Sequence, residues 1–397
     1  MYKRISYLLL VLLLGSMNVF SAEGDPTFNA WLADLKEEAR QNNISEETIT
    51  KTFEQAEYRP RVIKLDRSQP EFISTFFSYI QKRVTSARVE AGRKKLLEHE
   101  ILLDNIERHY EVPKNILVAF WGLETNYGAN KGNIGLPSAL LTLAYEGRRS
   151  TFFRKQLIDM MLIVDAGHSD VASLKGSWAG ASGHMQFMPS TFLDYAVDAN
   201  ADGRNDIWNS LPDAFASAAN YLSSIGWMKG EPVALEVRLP EGFEYYEAQL
   251  GIRQRSKDWA ALGVTQVDGT SLPTLDNAAI ILPQGWQGPA FLVASNFDVV
   301  MKWNRSVNYA LSVSHLADQL SKGKTIVNGW GVNNVAITFN QAWAMQVKLN
   351  QLGYDSGKPD GYPGTKTHSA IRRYQLKHGL PADGFPSYEL YNRIISD

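Results

Sequence analysis

A single acidic residue, Glu124, stands near the end of an otherwise apolar run in the segment FWGLETNYG, residues 120–128. A carboxyl group among apolar and aromatic side chains resists ionisation, so it can still hold the proton that a general acid delivers at neutral pH. A helix-terminal glutamate more commonly reaches solvent in its charged form. Glu124 is therefore a candidate general acid, and its surroundings in the fold decide whether it holds a proton at neutral pH.

The residues around this acid predict the element that positions it. Pro113 suits the first turn of a helix, and Ile116 begins an apolar face at helical spacing. Asn126 and Gly128 follow Glu124 as stop signals. The sequence therefore predicts an apolar helix that ends just after Glu124.

A second candidate segment, SWAGASGHMQFMPS at residues 177–190, is dense in small residues. Small side chains let a backbone approach a ligand closely, and Ser177 and Gln186 offer hydrogen bonds to a sugar ring or its acyl group. The alternative is a glycine-rich connection before a helix that begins near Pro189.

Residues 198–206 match the first part of an EF-hand calcium loop, with glycine at position 6. Position 12 is Asn209 instead of glutamate, which removes a ligand and a charge, although Asp213 could contribute. We expect weak structural Ca²⁺ binding and no catalytic cofactor; an Asx-rich turn without metal is the alternative. The candidate ligands are Asp198, Asn200, Asp202, the carbonyl group of Arg204, and Asp206.

The composition excludes several classes of function. The 397 residues include no cysteine, which excludes disulfides, thiolate catalysis, cysteine-ligated metals and a lipid-modified cysteine anchor. The seven histidines form no zinc-binding pattern. A net charge of −2 gives no reason to expect nucleic acid or an anionic membrane as a partner.

The chain divides into four parts. Residues 1–22 have the charged start, short apolar core and small residues of a secretory signal, with a retained anchor as the alternative. Residues 23–320 form a mainly helical domain with a β-rich insert at about 231–294. A linker at 321–334 precedes a small domain at 335–397. Helices are predicted after Ser45 and within residues 72–110, 149–164, 212–226 and 296–320.

Further segments accompany the two motifs, at residues 62–72, 143–149, 207–214 and 303–310. Together they resemble the soluble lytic transglycosylases of the membrane-bound lytic transglycosylase B type, which cleave bacterial peptidoglycan. The resemblance covers nearly the whole mature chain. It implies a mainly α (α+β) fold with a lysozyme-like helical catalytic domain, and it supports the calcium loop.

The resemblance also implies roles for particular residues. Glu124 would do the acid–base work, while Ser177, Gln186 and Tyr221 would bind or support the sugar, with Tyr309 a less certain match. Peptidoglycan strands would be the substrate, and other cell-wall enzymes are potential partners. No membrane anchor is expected, and the periplasm is the expected location.

One positioned acid suits a particular reaction. Ordinary glycosidases use two carboxylates, whereas a lytic transglycosylase uses the muramic C6 hydroxyl as its nucleophile and leaves a 1,6-anhydro end. Two alternatives stay open: a hydrolytic muramidase that uses Glu124 with water, and a catalytically silent wall-binding scaffold.

The final 60 or so residues carry a pattern of their own. GY at 353–354, DGYPGTKT at 360–367 and AIRRYQ at 370–375 resemble the small helical peptidoglycan-binding domain. A three-helix module that binds the cell wall is expected, and a stabilising appendage without affinity is the alternative. Binding would raise the local substrate concentration through avidity.

Overall fold

The computed structural model describes residues 26–67, 74–332 and 335–397, and the predicted signal at 1–22 lies outside them. The described chain is mainly helical, as the sequence predicted. Its helices are α1 (Pro26–Gln41), α2 (Glu46–Gln55), α3 (Pro60–Arg67), α4 (Phe76–Arg83), α5 (Ser86–Glu98), α6 (Glu100–Tyr110), α7 (Lys114–Thr125), α8 (Leu136–Glu146), α9 (Ser150–Asp165), α10 (Pro189–Tyr195), α11 (Leu211–Ser224), α12 (Ser256–Ala261), α13 (Ser295–Trp303), α14 (Val307–Ser321), α15 (Phe339–Gln351), α16 (Thr365–Lys377) and α17 (Tyr388–Ser396).

Helix α7 lies at the centre of the large domain, where it packs against α14 and α5. All but three of its residues are buried, because its apolar side chains surround the whole helix rather than one stripe. Pro113 is the N-cap and not a first-turn residue, a one-residue correction to the prediction. Asn126 and Tyr127 both adopt positive φ, at 50° and 61°, so the chain leaves the helix immediately after Glu124.

Two predicted helical stretches are interrupted. The described part of the first stretch, residues 74–110, divides into α4, α5 and α6, and residues 296–320 divide into α13 and α14. At two of these breaks a hydroxyl side chain caps the next helix: Thr85 accepts from the backbone N–H of Arg88, and Ser306 from that of Tyr309. Serine and threonine offer the backbone this local alternative to a continuous helix, which apolar periodicity does not reveal.

The strands are few and short. An antiparallel sheet falls between residues 234 and 293, within the predicted β-rich insert. Its strands in spatial order are β4 (Thr265–Gln266), β3 (Ala234–Arg238), β6 (Ala290–Val293) and β5 (Ala279–Ile281). Its register pairs Leu235 with Leu292 and Ile280 with Leu292, so apolar residues meet on one face and cover Trp259. Two further short strands, β1 (Ile134–Gly135) and β2 (Lys175–Gly176), pair with each other in a separate antiparallel sheet.

The predicted linker makes contacts with the large domain in its described part. Both carboxylate oxygens of Glu236 accept backbone N–H groups from this segment, those of Val327 at 2.9 Å and Asn328 at 2.8 Å. The ring of Trp330 stacks on Phe77 with centroids 4.1 Å apart. The connection between the two domains is therefore fixed along residues 326–330.

The C-terminal module is a three-helix unit formed by α15, α16 and α17. Met345, Leu349, Ile371, Tyr374 and Ile394 form its separate apolar core. A capping box between Thr338 and Gln341 starts α15. Throughout the described part of the chain, helices are too short or too polar to cross a membrane.

Candidate active site

The carboxylate of Glu124 receives two hydrogen bonds on the same oxygen. The indole N–H of Trp303 donates to Oε1 at 3.0 Å, and the phenol of Tyr309 also donates to it. Tyr309 is only 4% exposed. Burial raises the pKa of its phenol well above the usual range, and the Glu124 charge raises it further, so Tyr309 keeps its proton and stays a donor.

The break between α13 and α14 positions both donors. Trp303 ends α13, and Tyr309 lies in the first turn of α14, where the Ser306 hydroxyl accepts its backbone N–H at 3.2 Å. The two side chains therefore approach Glu124 from either side of one short loop. Tyr309 was a predicted site residue. Trp303 was not predicted as a site residue, although it is the first residue of the 303–310 segment, one of the segments that carried the family resemblance.

Aromatic rings surround Trp303 and bring Tyr221 into the site. Ring centroids lie 4.4 Å from Phe120, 5.5 Å from Phe187 and 5.3 Å from Tyr221. Burial raises the pKa of the Tyr221 phenol, so it too stays protonated. Tyr221 is half-buried, and its place beside Trp303 puts it one side chain away from Glu124.

The small-residue segment at residues 177–190 is joined to α7 through two hydrogen bonds at His184. Its carbonyl oxygen accepts the Thr125 hydroxyl at 2.8 Å, and its Nδ1 accepts the Trp121 indole N–H at 3.0 Å. Burial lowers the pKa of His184 to about 4, so the ring is neutral at physiological pH and can accept at Nδ1. These pairs fix the segment beside Glu124, and local sequence patterns did not reveal them.

Gly128 shows how closely the two segments approach. A Cβ atom built there would lie 2.6 Å from Cε1 of His184, and the residue has a φ of +83°. Glycine alone meets both conditions without strain. The glycine that closes the motif at residues 120–128 therefore serves packing against His184 as well as helix termination.

Ser177 and Gln186 both use part of their hydrogen-bonding capacity within the segment. Ser177 Oγ accepts from the N–H groups of Ala179 and Ala181, at 3.3 and 3.1 Å. The Gln186 amide nitrogen donates to the carbonyl oxygens of Lys131 and Gly183, each at 3.1 Å. These contacts hold both side chains in place at partly exposed positions.

The candidate calcium loop is closed by hydrogen bonds to its own backbone. The Asp198 carboxylate accepts from Asp202 and Gly203, and Asp206 accepts from Trp208 and Asn209. The side-chain amide of Asn200 donates a hydrogen bond to Oδ2 of Asp202 at 2.9 Å. Within the described residues, no three acidic or histidine side chains are grouped as a metal site. The set Asp198, Asn200, Asp202, Arg204 and Asp206 stays a prediction.

Comparison with known proteins places the chain in a family. Residues 27–318 match the transglycosylase SLT domain, and residues 343–394 match the peptidoglycan binding domain. The chain is 33% identical over 257 residues to the membrane-bound lytic murein transglycosylase B of Escherichia coli K12. This match covers 61% of the chain and 66% of that protein, just under two thirds of its length.

Solved structures agree with this assignment. The structure of SltB3 from Pseudomonas aeruginosa in complex with NAG-anhNAM-pentapeptide matches with a TM-score of 0.89 at 40% identity, covering 92% of this chain and 98% of that one. Escherichia coli Slt35 in complex with calcium matches at 0.64 and 28%, covering 74% and 93%. The expected lysozyme-like, mainly helical fold is thereby confirmed. The chain belongs to the transglycosylase SLT family of peptidoglycan lytic transglycosylases.

Proposed function

We propose that Glu124 is the single acid–base residue of a non-hydrolytic cleavage of peptidoglycan. The bond broken is the β-1,4 link between N-acetylmuramic acid and N-acetylglucosamine, and the product carries a 1,6-anhydromuramic end. The observation that carries the proposal is the pair of donors, Trp303 and Tyr309, on one oxygen of the Glu124 carboxyl. They hold the group in one orientation at the end of a buried helix.

The reaction begins when Glu124 protonates the glycosidic oxygen. Positive charge that develops at the muramic C1 is shared with the neighbouring acetamido oxygen. The carboxylate left behind is stabilised by the N–H of Trp303 and the O–H of Tyr309, because hydrogen bonds to a charged group favour that form. Because burial raises the pKa of the Tyr309 phenol, Tyr309 keeps its own proton and goes on donating to the carboxylate.

In the second step the ionised Glu124 takes the proton from the C6 hydroxyl as that oxygen attacks C1. The nucleophile belongs to the substrate, so no second carboxylate and no water are needed. Holding C6 beside C1 makes the step intramolecular, where effective molarities reach about 10⁵ M or more. The complex of the relative SltB3 with an anhydro sugar supports this product.

The other predicted site residues would position the strand. The half-buried ring of Tyr221 offers an apolar face to a sugar, and Ser177 and Gln186 offer hydrogen bonds to hydroxyl or acetamido groups. Their backbone contacts keep both polar side chains ordered before substrate arrives. The periplasm is the proposed location, because the wall lies there and residues 1–22 have a secretory pattern.

The deciding experiment is to incubate the purified mature protein with peptidoglycan and weigh the released muropeptides. Anhydro products, lighter by one water than hydrolysed ones, are expected, and Glu124→Gln should abolish them. Reducing-end products from the wild type would identify a hydrolytic muramidase. Wall binding without any release would identify a silent scaffold.

The calcium loop is a separate proposal. Asp198, Asn200, Asp202, Asp206 and the Arg204 carbonyl would hold a structural Ca²⁺ ion, which Escherichia coli Slt35 binds in its crystal structure. The expected result is a higher melting temperature in calcium than in chelator, absent in Asp202→Ala. An equal melting temperature in both buffers would favour an Asx-rich turn without metal.

A further inference from the structure

The segment at residues 326–332 joins the two domains, and we call it the interdomain strap. At its end the carbonyl oxygen of Val332 accepts the side-chain amide of Gln284 at 3.0 Å. A Cβ atom at Gly329, whose φ is +72°, would lie 2.7 Å from the backbone of Gly288. Only glycine permits this approach, so the backbone of the strap lies directly on the insert.

The interdomain strap also holds the start of α4. The ring of Trp330 stacks on Phe77 with centroids 4.1 Å apart, and its indole N–H donates to the Ile326 carbonyl oxygen at 2.8 Å. Gln284 is fully buried, and its Oε1 accepts the backbone N–H of Phe76 at 2.9 Å. The first N–H groups of a helix have no partner within it, so this contact satisfies a donor that α4 itself cannot. One side chain of the insert therefore bonds both the strap and α4.

The turn between β5 and β6, residues 282–289, connects these contacts with the C-terminal module. Gln284 lies in this turn, and Trp286 donates its backbone N–H to Oδ2 of Asp383 at 2.8 Å. A Cβ atom at Gly285 would lie 2.9 Å from the same oxygen. Asp383 is 6% exposed, so a buried carboxylate docks the module on the insert. The same turn thus holds the strap, α4 and the module.

Helix α4 extends from the interdomain strap towards Tyr309. Phe77 and Tyr309 belong to one apolar core, and α4 packs against α14, which carries Tyr309. The eight residues of α4 span about 12 Å. Near its far end the Arg83 guanidinium lies 5.4 Å from the centroid of the Tyr79 ring. Burial and the Glu124 charge raise the pKa of the Tyr309 phenol well above its usual range, and the Arg83 charge opposes them, so this end of α4 is within electrostatic reach of Tyr309.

We propose that Trp330 is a positioning residue for the cleavage at Glu124. This role rests on the proposed function, in which the Tyr309 hydroxyl stabilises the Glu124 carboxylate. Through Phe77, Trp330 fixes the start of α4, and α4 in turn holds α14 where Tyr309 reaches Glu124. Small errors in the position of a group that acts on the reaction cost large factors in rate. The connection between the domains therefore supports the chemical step as well as tethering the module.

The full mature protein is assayed for kcat and KM on soluble peptidoglycan fragments, with anhydro ends counted by mass. Trp330→Ala should lower kcat about tenfold with little change in KM, because misalignment acts on the chemical step. Trp330→Phe keeps a ring over Phe77 and should recover most of this loss. Trp343→Ala is the matched control and should leave kcat unchanged, since this tryptophan of α15 is similarly exposed, at 48% against 45%.

A general loss of folded protein would also lower kcat, and a double-mutant cycle with Tyr309→Phe separates the two causes. Because Trp330 acts by aligning the Tyr309 hydroxyl, Trp330→Ala should lower kcat only about threefold or less when that hydroxyl is already absent. An equal fall in both backgrounds would overturn the proposal. So would an unchanged kcat in Trp330→Ala.

Amide hydrogen exchange of the same proteins needs no turnover. If the wild type forms no anhydro ends, the proposed function fails, whereas exchange still reports on the contact between the strap and α4. Trp330→Ala should speed exchange severalfold in α4 and α14, and Trp343→Ala should match the wild type there. Faster exchange confined to the interdomain strap would overturn the positioning role of Trp330.

Discussion

The indole nitrogen of Trp303 lies 3.0 Å from Oε1 of Glu124, although 179 positions separate the two residues in the chain. Tyr309 reaches the same oxygen across 185 positions. Two neutral donors thus meet one carboxyl at the end of a buried helix. In the proposed reaction, this arrangement stabilises the charge that Glu124 acquires when it gives up its proton.

Tyr309→Phe removes one donor and keeps the ring. We expect kcat on peptidoglycan to fall about ten- to a hundredfold with little change in KM, because a hydrogen bond to a charged group contributes mainly after proton delivery. Steady-state release of muropeptides measures this. Tyr388→Phe, on an exposed module residue, is the control. An unchanged kcat would mean that Tyr309 contributes to packing and that its hydroxyl does not stabilise the Glu124 carboxylate.

Trp303→Phe removes the second donor and preserves most of the aromatic packing. Combined with Tyr309→Phe it forms a double-mutant cycle. Both donors act on the same oxygen. We therefore expect the fall in kcat of the double variant to differ from the product of the two single falls by a factor of about three or more. Strictly additive losses would show that the two side chains act independently.

Histidine burial predicts a stability change with pH. Burial lowers the pKa of His315 to about 4, from an ordinary value of 6.5. In the unfolded chain His315 therefore binds a proton below pH 6.5, whereas in the folded chain it binds one only below about pH 4. The contribution of neutral His315 to the free energy of unfolding is fully present above pH 6.5. It decreases as the pH falls from 6.5 to 4, by at most about 3 kcal/mol. His184 acts in the same direction, less strongly because it is partly exposed.

Urea unfolding at pH 7.5 and at pH 5 measures this loss. His315→Gln should reduce the difference in free energy of unfolding between the two pH values, since glutamine binds no proton. The same pH dependence in the variant and the wild type would assign the loss to other groups.

Gly128→Ala tests the close approach to His184. Both Gly128 and Gly167 have positive φ, at +83° and +78°, but a Cβ atom meets His184 only at Gly128 and has open space at Gly167. Each substitution should cost the strain of a left-handed alanine, and Gly128→Ala should cost about 1 kcal/mol more because of the overlap. Denaturant unfolding of the pair isolates that difference. Equal losses would show that His184 moves aside freely.

Much of the local structure could be predicted from the sequence. The apolar composition of α7 and the left-handed stop at Asn126 are local properties, so the residues around Glu124 are enough to place it in the last turn of a helix. Breaks at Thr85 and Ser306 were missed, because hydroxyl capping competes with a helix within a few residues and does not disturb the apolar period around it.

The sequence by itself determined that one acid ends a buried helix, that a small-residue segment follows, and that a separate helical module closes the chain. Only the tertiary structure decided that Trp303 and Tyr309 meet on Glu124, that His184 joins its segment to α7, and that Asp383 docks the module on the insert. Periodicity and capping act over a few residues, whereas these contacts depend on how distant elements pack together. No local pattern in the chain predicts these contacts between distant residues.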